Sequence, residues 1–104
     1  MVASWLIAAI LAGAFIYLAV KLTITILKQF RTKKTSKLIA GTLKDIISKA
    51  QVKNVDDLPD EDDVVLAEYD EDKHELVQEI NICKDVDEMI KTMLNNNRGI
   101  VVFD

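Results

Sequence analysis

The stretch MVASWLIAAILAGAFIYLAV, residues 1–20, contains no charged side chain, and the predicted fold depends on how it is interpreted. An α-helix rises about 1.5 Å per residue, so about 20 apolar residues cross a hydrocarbon core of about 30 Å. The continuation LTITIL, residues 22–27, is also largely apolar. We therefore expect one N-terminal transmembrane helix over residues 1–27.

A cleaved signal peptide is the alternative interpretation of this run. Such a peptide carries positive charge before its apolar core and a site of small residues after it. Ala12, Gly13 and Ala14 resemble that site, but no charged residue precedes the run. The retained helix is therefore the favoured interpretation.

The charge of the chain changes sign near its middle. Residues 1–53 carry a formal charge of +8 and residues 54–104 carry −12, which together give the net charge of −4. The basic residues of segment 28–37 directly follow the apolar run, and such residues are retained on the cytoplasmic side. We expect a basic juxtamembrane neck over 28–37 in a single-pass protein of the inner (cytoplasmic or host-cell) membrane, with its N-terminus outside and its C-terminus cytoplasmic.

Two sets of residues follow from this membrane interpretation. Aromatic and basic side chains at the membrane interface would contact lipid; they are Trp5, Tyr17, Lys21, Lys28, Arg31, Lys33, Lys34 and Lys37. Small residues at four-residue spacing allow two helices to approach closely in lipid; they are Ser4, Ala8, Ala9, Ala12 and Gly13. The second set predicts a homo-oligomer or docking to another membrane protein, although an alanine-rich helix also produces such spacing by chance.

The rest of the chain is predicted as an α+β arrangement in three parts. Residues 38–53 place apolar side chains at helical spacing, which predicts an amphipathic helix that covers the distal domain or lies on the membrane. Residues 54–63 form an acidic linker that contains Pro59. Residues 64–104 predict a small acidic β-β-α-β cytoplasmic domain that ends in the apolar strand IVVF, residues 100–103.

A unit of this size rarely buries enough apolar surface to be stable alone. We therefore expect it to use the helix over 38–53, a second subunit, or a client protein that pairs with an exposed strand edge. The final strand is apolar enough to be central in the sheet or paired with such a partner.

Residues capable of catalysis are few. The chain contains one histidine, His74, and one cysteine, Cys83, and neither belongs to a zinc, nucleophile or phosphate-loop pattern. We predict no enzyme activity, no cofactor and no metal. Nucleic-acid binding is also not expected, because the basic segment is short and the distal half is acidic.

The predicted function is a membrane-anchored adaptor or assembly factor that positions a cytosolic protein at the inner membrane. An assembly chaperone of bacterial or phage origin is one version of it. A partner with a basic surface would contact the acidic side chains of the distal half; they are Asp60, Glu61, Asp62, Asp63, Glu68, Asp70, Glu71, Asp72, Glu75 and Glu79. The alternative is a structural accessory subunit of an integral membrane complex.

Overall fold

The computed structural model describes residues 3–50 and 60–103, in which helices and strands alternate along the chain except for three consecutive strands before the last helix. The helices are α1 (Ser4–Ala12), α2 (Ile24–Phe30), α3 (Leu43–Ala50) and α4 (Glu88–Asn96). The strands are β1 (Phe15–Tyr17), β2 (Lys37–Thr42), β3 (Val64–Asp70), β4 (Glu75–Leu76), β5 (Ile80–Cys83) and β6 (Ile100–Phe103). These four helices and six strands form a small mixed α+β domain.

The N-terminal apolar run is divided between a helix and a strand. Helix α1 has nine residues, which span about 14 Å, or about half of a hydrocarbon core. Among the described residues, no helix has both the length and the apolar character that a bilayer crossing requires. The predicted transmembrane helix over 1–27 is therefore wrong, and so are the single-pass inner-membrane location and orientation derived from it.

The chain leaves α1 at Gly13, where it passes close to β5. A Cβ atom added to Gly13 would lie 2.6 Å from Cδ1 of Ile80, so the absence of a side chain permits this approach. The apolar side chains Leu6, Ile7 and Ile10 are buried against the sheet. These side chains supply core packing, a property that composition alone does not distinguish from a lipid-facing surface.

The sheet has the order β1-β5-β3-β2-β6, and β4 pairs with the end of β3. Strands β1 and β5 are parallel, whereas the other pairs are antiparallel. This order places β3 in the centre, between β5 and β2, and it leaves β1 and β6 at the two ends of the sheet.

Strand β2 replaces the first part of the amphipathic helix predicted over 38–53, so that prediction is wrong for this segment. Residues 38–41 are all buried, because β2 is paired with β3 on one side and β6 on the other. The sequence of a strand that is covered on both faces is a continuous apolar run, without polar residues at alternate positions. Helix α3 begins only at Leu43, and residues 51–53 lie outside the described residues.

Helices cover both faces of the sheet. Helices α1 and α3 pack on one face, and α2 and α4 pack on the other. The segment 64–103 therefore shares its sheet with β1 and β2 and its core with α1, α2 and α3. Most of the predicted acidic linker, residues 54–59, lies outside the described residues, and Asp60–Asp63 form the turn into β3.

Candidate functional site

A buried carboxylate in β3 organises the loop between α2 and β2. Glu68 is 0% exposed and accepts five hydrogen bonds. Its Oε2 accepts from the backbone N–H of Thr32 (2.9 Å), the backbone N–H of Lys33 (3.1 Å) and the Ser36 hydroxyl. Its Oε1 accepts from the Thr32 hydroxyl (2.8 Å) and from Nε2 of Gln78 (2.8 Å). We call residues 31–36 the anchored loop.

These donors determine the ionisation of Glu68. Burial by itself would raise the pKa of this carboxyl, because it penalises the charged form. The hydrogen bonds from Ser36, Thr32 and the backbone of Lys33 and Thr32 have the opposite effect and lower its pKa from 4.5 to about 2. Glu68 is therefore a carboxylate at neutral pH, although no cation bonds to it among the described residues.

The same network fixes the end of α2. Nε2 of Gln78 also donates to the backbone carbonyl of Phe30, at 2.7 Å, so one amide joins the last residue of α2 to Glu68. The next residue, Arg31, is half-buried, and its Nη2 donates to the carbonyl of Phe103 at 3.2 Å. The anchored loop thus positions Arg31 at the end of β6.

A pocket of about 260 Å³ lies between α2 and the sheet beside this arginine. Apolar side chains from α2, β2 and β6 form its walls, and two cations stand at its rim. The wall residues are Ile24, Leu27, Leu38 and Phe103, and the cations are Lys28 and Arg31. Neither cation forms a salt bridge with an acidic side chain among the described residues. The pocket therefore suits an apolar group that carries negative charge nearby.

Strand β6 presents an open backbone edge next to this pocket. Thr42 N–H donates to the Gly99 carbonyl at 2.9 Å, and the antiparallel register continues as Ala40 opposite Val101. Because alternate residues of such a ladder direct their backbone groups to the partner strand, Val102 directs its N–H and C=O away from β2. No strand in the described part of the chain pairs with that side of β6, and the Val102 side chain is 39% exposed. We call this edge and the adjoining pocket the β6 groove.

A second pocket, of about 380 Å³, lies at the opposite end of β2 and β3 against α4. Its lining contains Asp62, Lys84 and Lys91. Both lysines already contact carboxylates: Lys84 bonds to Asp63 at 3.0 Å, and Lys91 lies 3.6 Å from Glu88. This pocket therefore offers less unpaired charge to a ligand than the β6 groove does.

The residues predicted at a membrane interface are distributed over the whole molecule. Trp5 is half-buried; its ring stacks on His74, with centroids 4.9 Å apart, and meets Tyr69 edge-on at 5.8 Å. Tyr17 is exposed and lies beneath the Lys84 ammonium, 5.3 Å from its ring centroid. The other predicted residues are exposed or half-buried, and two of them line the β6 groove: Lys21, Lys28, Arg31, Lys33, Lys34 and Lys37.

The predicted helix-packing residues all lie on α1 or directly after it. Ser4, Ala8 and Ala12 are exposed, whereas Ala9 and Gly13 are half-buried towards the sheet. The four-residue spacing therefore places three of these residues on the exposed side of α1 and two on its half-buried side. It does not mark a contact between lipid-embedded helices, because α1 does not cross a membrane.

The acidic residues predicted to bind a partner form two groups at opposite ends of β3. Asp60, Glu61 and Asp62 are exposed before the strand, and Asp63 is buried beside Lys84. The second group surrounds the β3–β4 turn and the start of β5: Asp70, Glu71, Asp72, Glu75 and Glu79. Glu68 belongs to neither group because it is buried.

Several residues of this site lay outside the sequence-based prediction. Thr32, Ser36 and Gln78 are ordinary polar residues in sequence, and they become partners only when the fold brings them to Glu68. For Val102 and Phe103 a signal existed, since the final strand was expected to be central or partner-paired. The sequence predicts Leu27 in a transmembrane helix and Leu38 in an amphipathic helix, and neither prediction places them in one pocket.

Cys83 is buried in β5 and is unsuited to thiol chemistry. Burial and, second, the neighbouring Asp63 carboxylate raise the pKa of its thiol to about 12. Within the described ranges, no group of three or more His, Cys, Asp or Glu side chains is arranged to hold a metal ion.

No protein-family model, curated protein or solved structure matches this chain. We therefore infer the function of this chain from the geometry of its site.

Proposed function

We propose that this protein is a non-enzymatic recognition module, an adaptor or assembly factor, that binds an extended segment of a protein partner along β6. The observation that carries this proposal is the open edge of β6 beside an apolar pocket with a cationic rim. The sequence predicts an adaptor that is anchored to a membrane. We retain the adaptor function in this proposal and omit the membrane anchor.

Strand addition explains how such a groove gives both affinity and selectivity. An extended peptide that pairs with an open edge gains main-chain hydrogen bonds, and pockets for its side chains select the sequence. In β6 the outward N–H and C=O of Val102 supply the main-chain pairing. The pocket against Phe103 and Leu38 supplies a place for a side chain of the added strand.

The other edge of the sheet offers less to a partner segment. Strand β1 has three residues and exposes Ile16 and Tyr17, by 44% and 59%. The two pockets described above are not lined by β1 residues. We therefore place the recognition function at β6.

Selection from a random peptide library, followed by substitution of Val102, tests this proposal. Val102→Pro removes the outward N–H, and proline is tolerated at strand edges. Val102→Thr is the matched control, because it keeps the N–H and the β-branched shape. We expect selected peptides to lose affinity for Val102→Pro by at least about tenfold, which corresponds to about 1.4 kcal/mol, and to bind Val102→Thr like the wild type.

Amide hydrogen exchange in the unsubstituted protein provides a second measurement that does not depend on the folding of the proline variant. A bound peptide should slow exchange at Val102, whereas Phe103, whose backbone already faces β2, serves as the internal control. Failure to select any peptide, or equal binding to Val102→Pro and Val102→Thr without protection of Val102, would contradict strand addition.

A further inference from the structure

The pocket of the β6 groove has room for one large side chain. Its volume of about 260 Å³ is below the range of about 300–1,000 Å³ that is typical of drug-sized ligands. Its walls are aliphatic or aromatic, and Leu27 and Leu38 are 4% and 2% exposed. An apolar side chain of a partner segment would therefore contact mainly the half-buried Ile24 and Phe103, which pack beside these two fixed core residues.

The rim of the pocket determines the charge that this segment should carry. Lys28 is exposed on α2, and Arg31 is held in place by its hydrogen bond to the Phe103 carbonyl. A guanidinium has five N–H donors, so one bond to a carbonyl leaves donors available for a carboxylate. Lys28 lies in the last turn of α2 and Arg31 is its C-cap residue, and both line the pocket.

The local charge around the groove differs from that of the whole chain. Segment 28–37 contains five cations, and two carboxylates from the described part of the chain bond to it, Glu68 in the core and Glu71 at 2.7 Å from Lys37. These seven residues together carry a formal charge of +3, on a protein of net charge −4. Because the Debye length is about 8 Å at physiological ionic strength, a ligand in the groove senses mainly the local charge.

We propose that the β6 groove selects partner segments in which a large apolar residue lies next to an aspartate or glutamate. The apolar side chain enters the pocket, and the adjacent carboxylate contacts Lys28 and Arg31. This inference rests on the proposed strand addition, and it names the chemistry of the segment that is added.

Substituted versions of a library-selected peptide test the inference against charge variants of the protein. In the peptide, the apolar residue is replaced by Ala, and the acidic residue by its amide or by Lys. In the protein, Lys28→Glu reverses one rim charge. Lys44→Glu is the matched control, since Lys44 is exposed on α3, on the other face of the sheet, and gives the same change in net charge.

We expect Lys28→Glu to weaken binding of the acidic peptide about fivefold, which corresponds to about 1 kcal/mol, and to strengthen binding of its Lys version. Lys44→Glu should change neither affinity. Higher salt should weaken the acidic peptide and leave the amide version less affected. Replacement of the apolar residue by Ala should weaken binding to all protein variants.

The outcomes separate this inference from the proposed function. One result is that the selected peptides require the Val102 N–H but show no preference for an acidic residue, and another is that they respond equally to Lys28→Glu and Lys44→Glu. Either result overturns the charge selectivity and leaves strand addition intact. Lysine-rich binders contradict the inference and favour the basic partner expected from sequence. Acidic peptides that depend on Lys28 but bind Val102→Pro normally overturn strand addition. If no peptide is selected, both proposals fail.

Discussion

The two ends of β3 stabilise buried carboxylates in different ways. Glu68, near the end of the strand, accepts five hydrogen bonds from hydroxyl and amide donors that the fold holds in place. Asp63, just before the strand, is 8% exposed and accepts from the ammonium of Lys84, whose side chain is 55% exposed. Fixed neutral donors replace the lost hydration of a carboxylate more completely than a mobile surface cation does. We therefore expect the Glu68 end to contribute much more to folding.

The largest expected effect is that of Glu68→Gln. The glutamine has nearly the same shape, but its NH₂ group replaces one of the two oxygen acceptors. This group is a donor, so it cannot accept the hydrogen bonds that the replaced oxygen accepts in the wild type. A hydrogen bond to a charged group contributes about 1.5–3 kcal/mol, and more than one is lost here. We expect the free energy of unfolding to fall by at least about 3 kcal/mol, measured by urea denaturation.

Asp63→Asn is the matched control, because it makes the same carboxyl-to-amide change at the other end of β3. The introduced amide would retain an oxygen acceptor and lie closer to solvent, so the loss of stability should be clearly smaller. Equal losses of stability in the two variants would show that the five hydrogen bonds to Glu68 contribute no more to the free energy of unfolding than the contacts of Asp63 do.

The next effect is a loss of stability in acid that depends on Glu68. The pKa of this carboxyl is about 2 in the folded protein, below its ordinary value of 4.5. A group with a lowered folded pKa stabilises the protein above its unfolded pKa, and this contribution disappears as the pH falls through the folded pKa. Stability should therefore decline between about pH 4.5 and pH 2.

Urea denaturation across this pH range gives the measurement. The decline should be markedly shallower in Glu68→Gln, because the variant has no proton to take up at this position, and it should persist in Asp63→Asn. A wild-type acid profile that is superimposable on that of Glu68→Gln would mean that Glu68 titrates normally in the folded protein.

The N-terminal half shows why composition was insufficient to predict this fold. An uncharged run of about 20 residues is long enough to cross a bilayer, but it also supplies α1 and β1 when a sheet is present to cover them. The run breaks at Gly13, whose backbone passes close to the Ile80 side chain. That contact joins residues far apart in sequence, so it was not visible before the structure.

The misassignment of β2 has a related cause. In segment 38–53 the apolar residues recur at helical spacing, yet residues 37–42 pair with strands on both sides. Tertiary pairing therefore outweighed the local periodicity. The strands at 64–70 and 100–103 were more visible because each begins with a continuous apolar run that contains β-branched residues.

The candidate site was predictable only in part. The sequence identified a cluster of cations over 28–37 and an apolar final strand that was suited to pairing. It did not bring them together, because the contact between Arg31 and Phe103 joins opposite parts of the chain. Glu68 resembled its acidic neighbours in sequence, and its burial follows from its central position in the sheet.

The smallest expected effect is that of Lys84→Met at the Asp63 end. The hydrogen bond to Asp63 raises the pKa of Lys84 and outweighs the partial desolvation of its ammonium, which also lies over the Tyr17 ring. Both interactions involve an exposed cation and are weakened by salt. We expect a small decrease in the urea midpoint at low salt that disappears at high salt, with Lys73→Met, another exposed lysine, as control. The contrary outcome is a loss of stability as large as that of Glu68→Gln. Asp63 would then depend on its cation as strongly as Glu68 depends on its neutral donors, and the two ends of β3 would not differ.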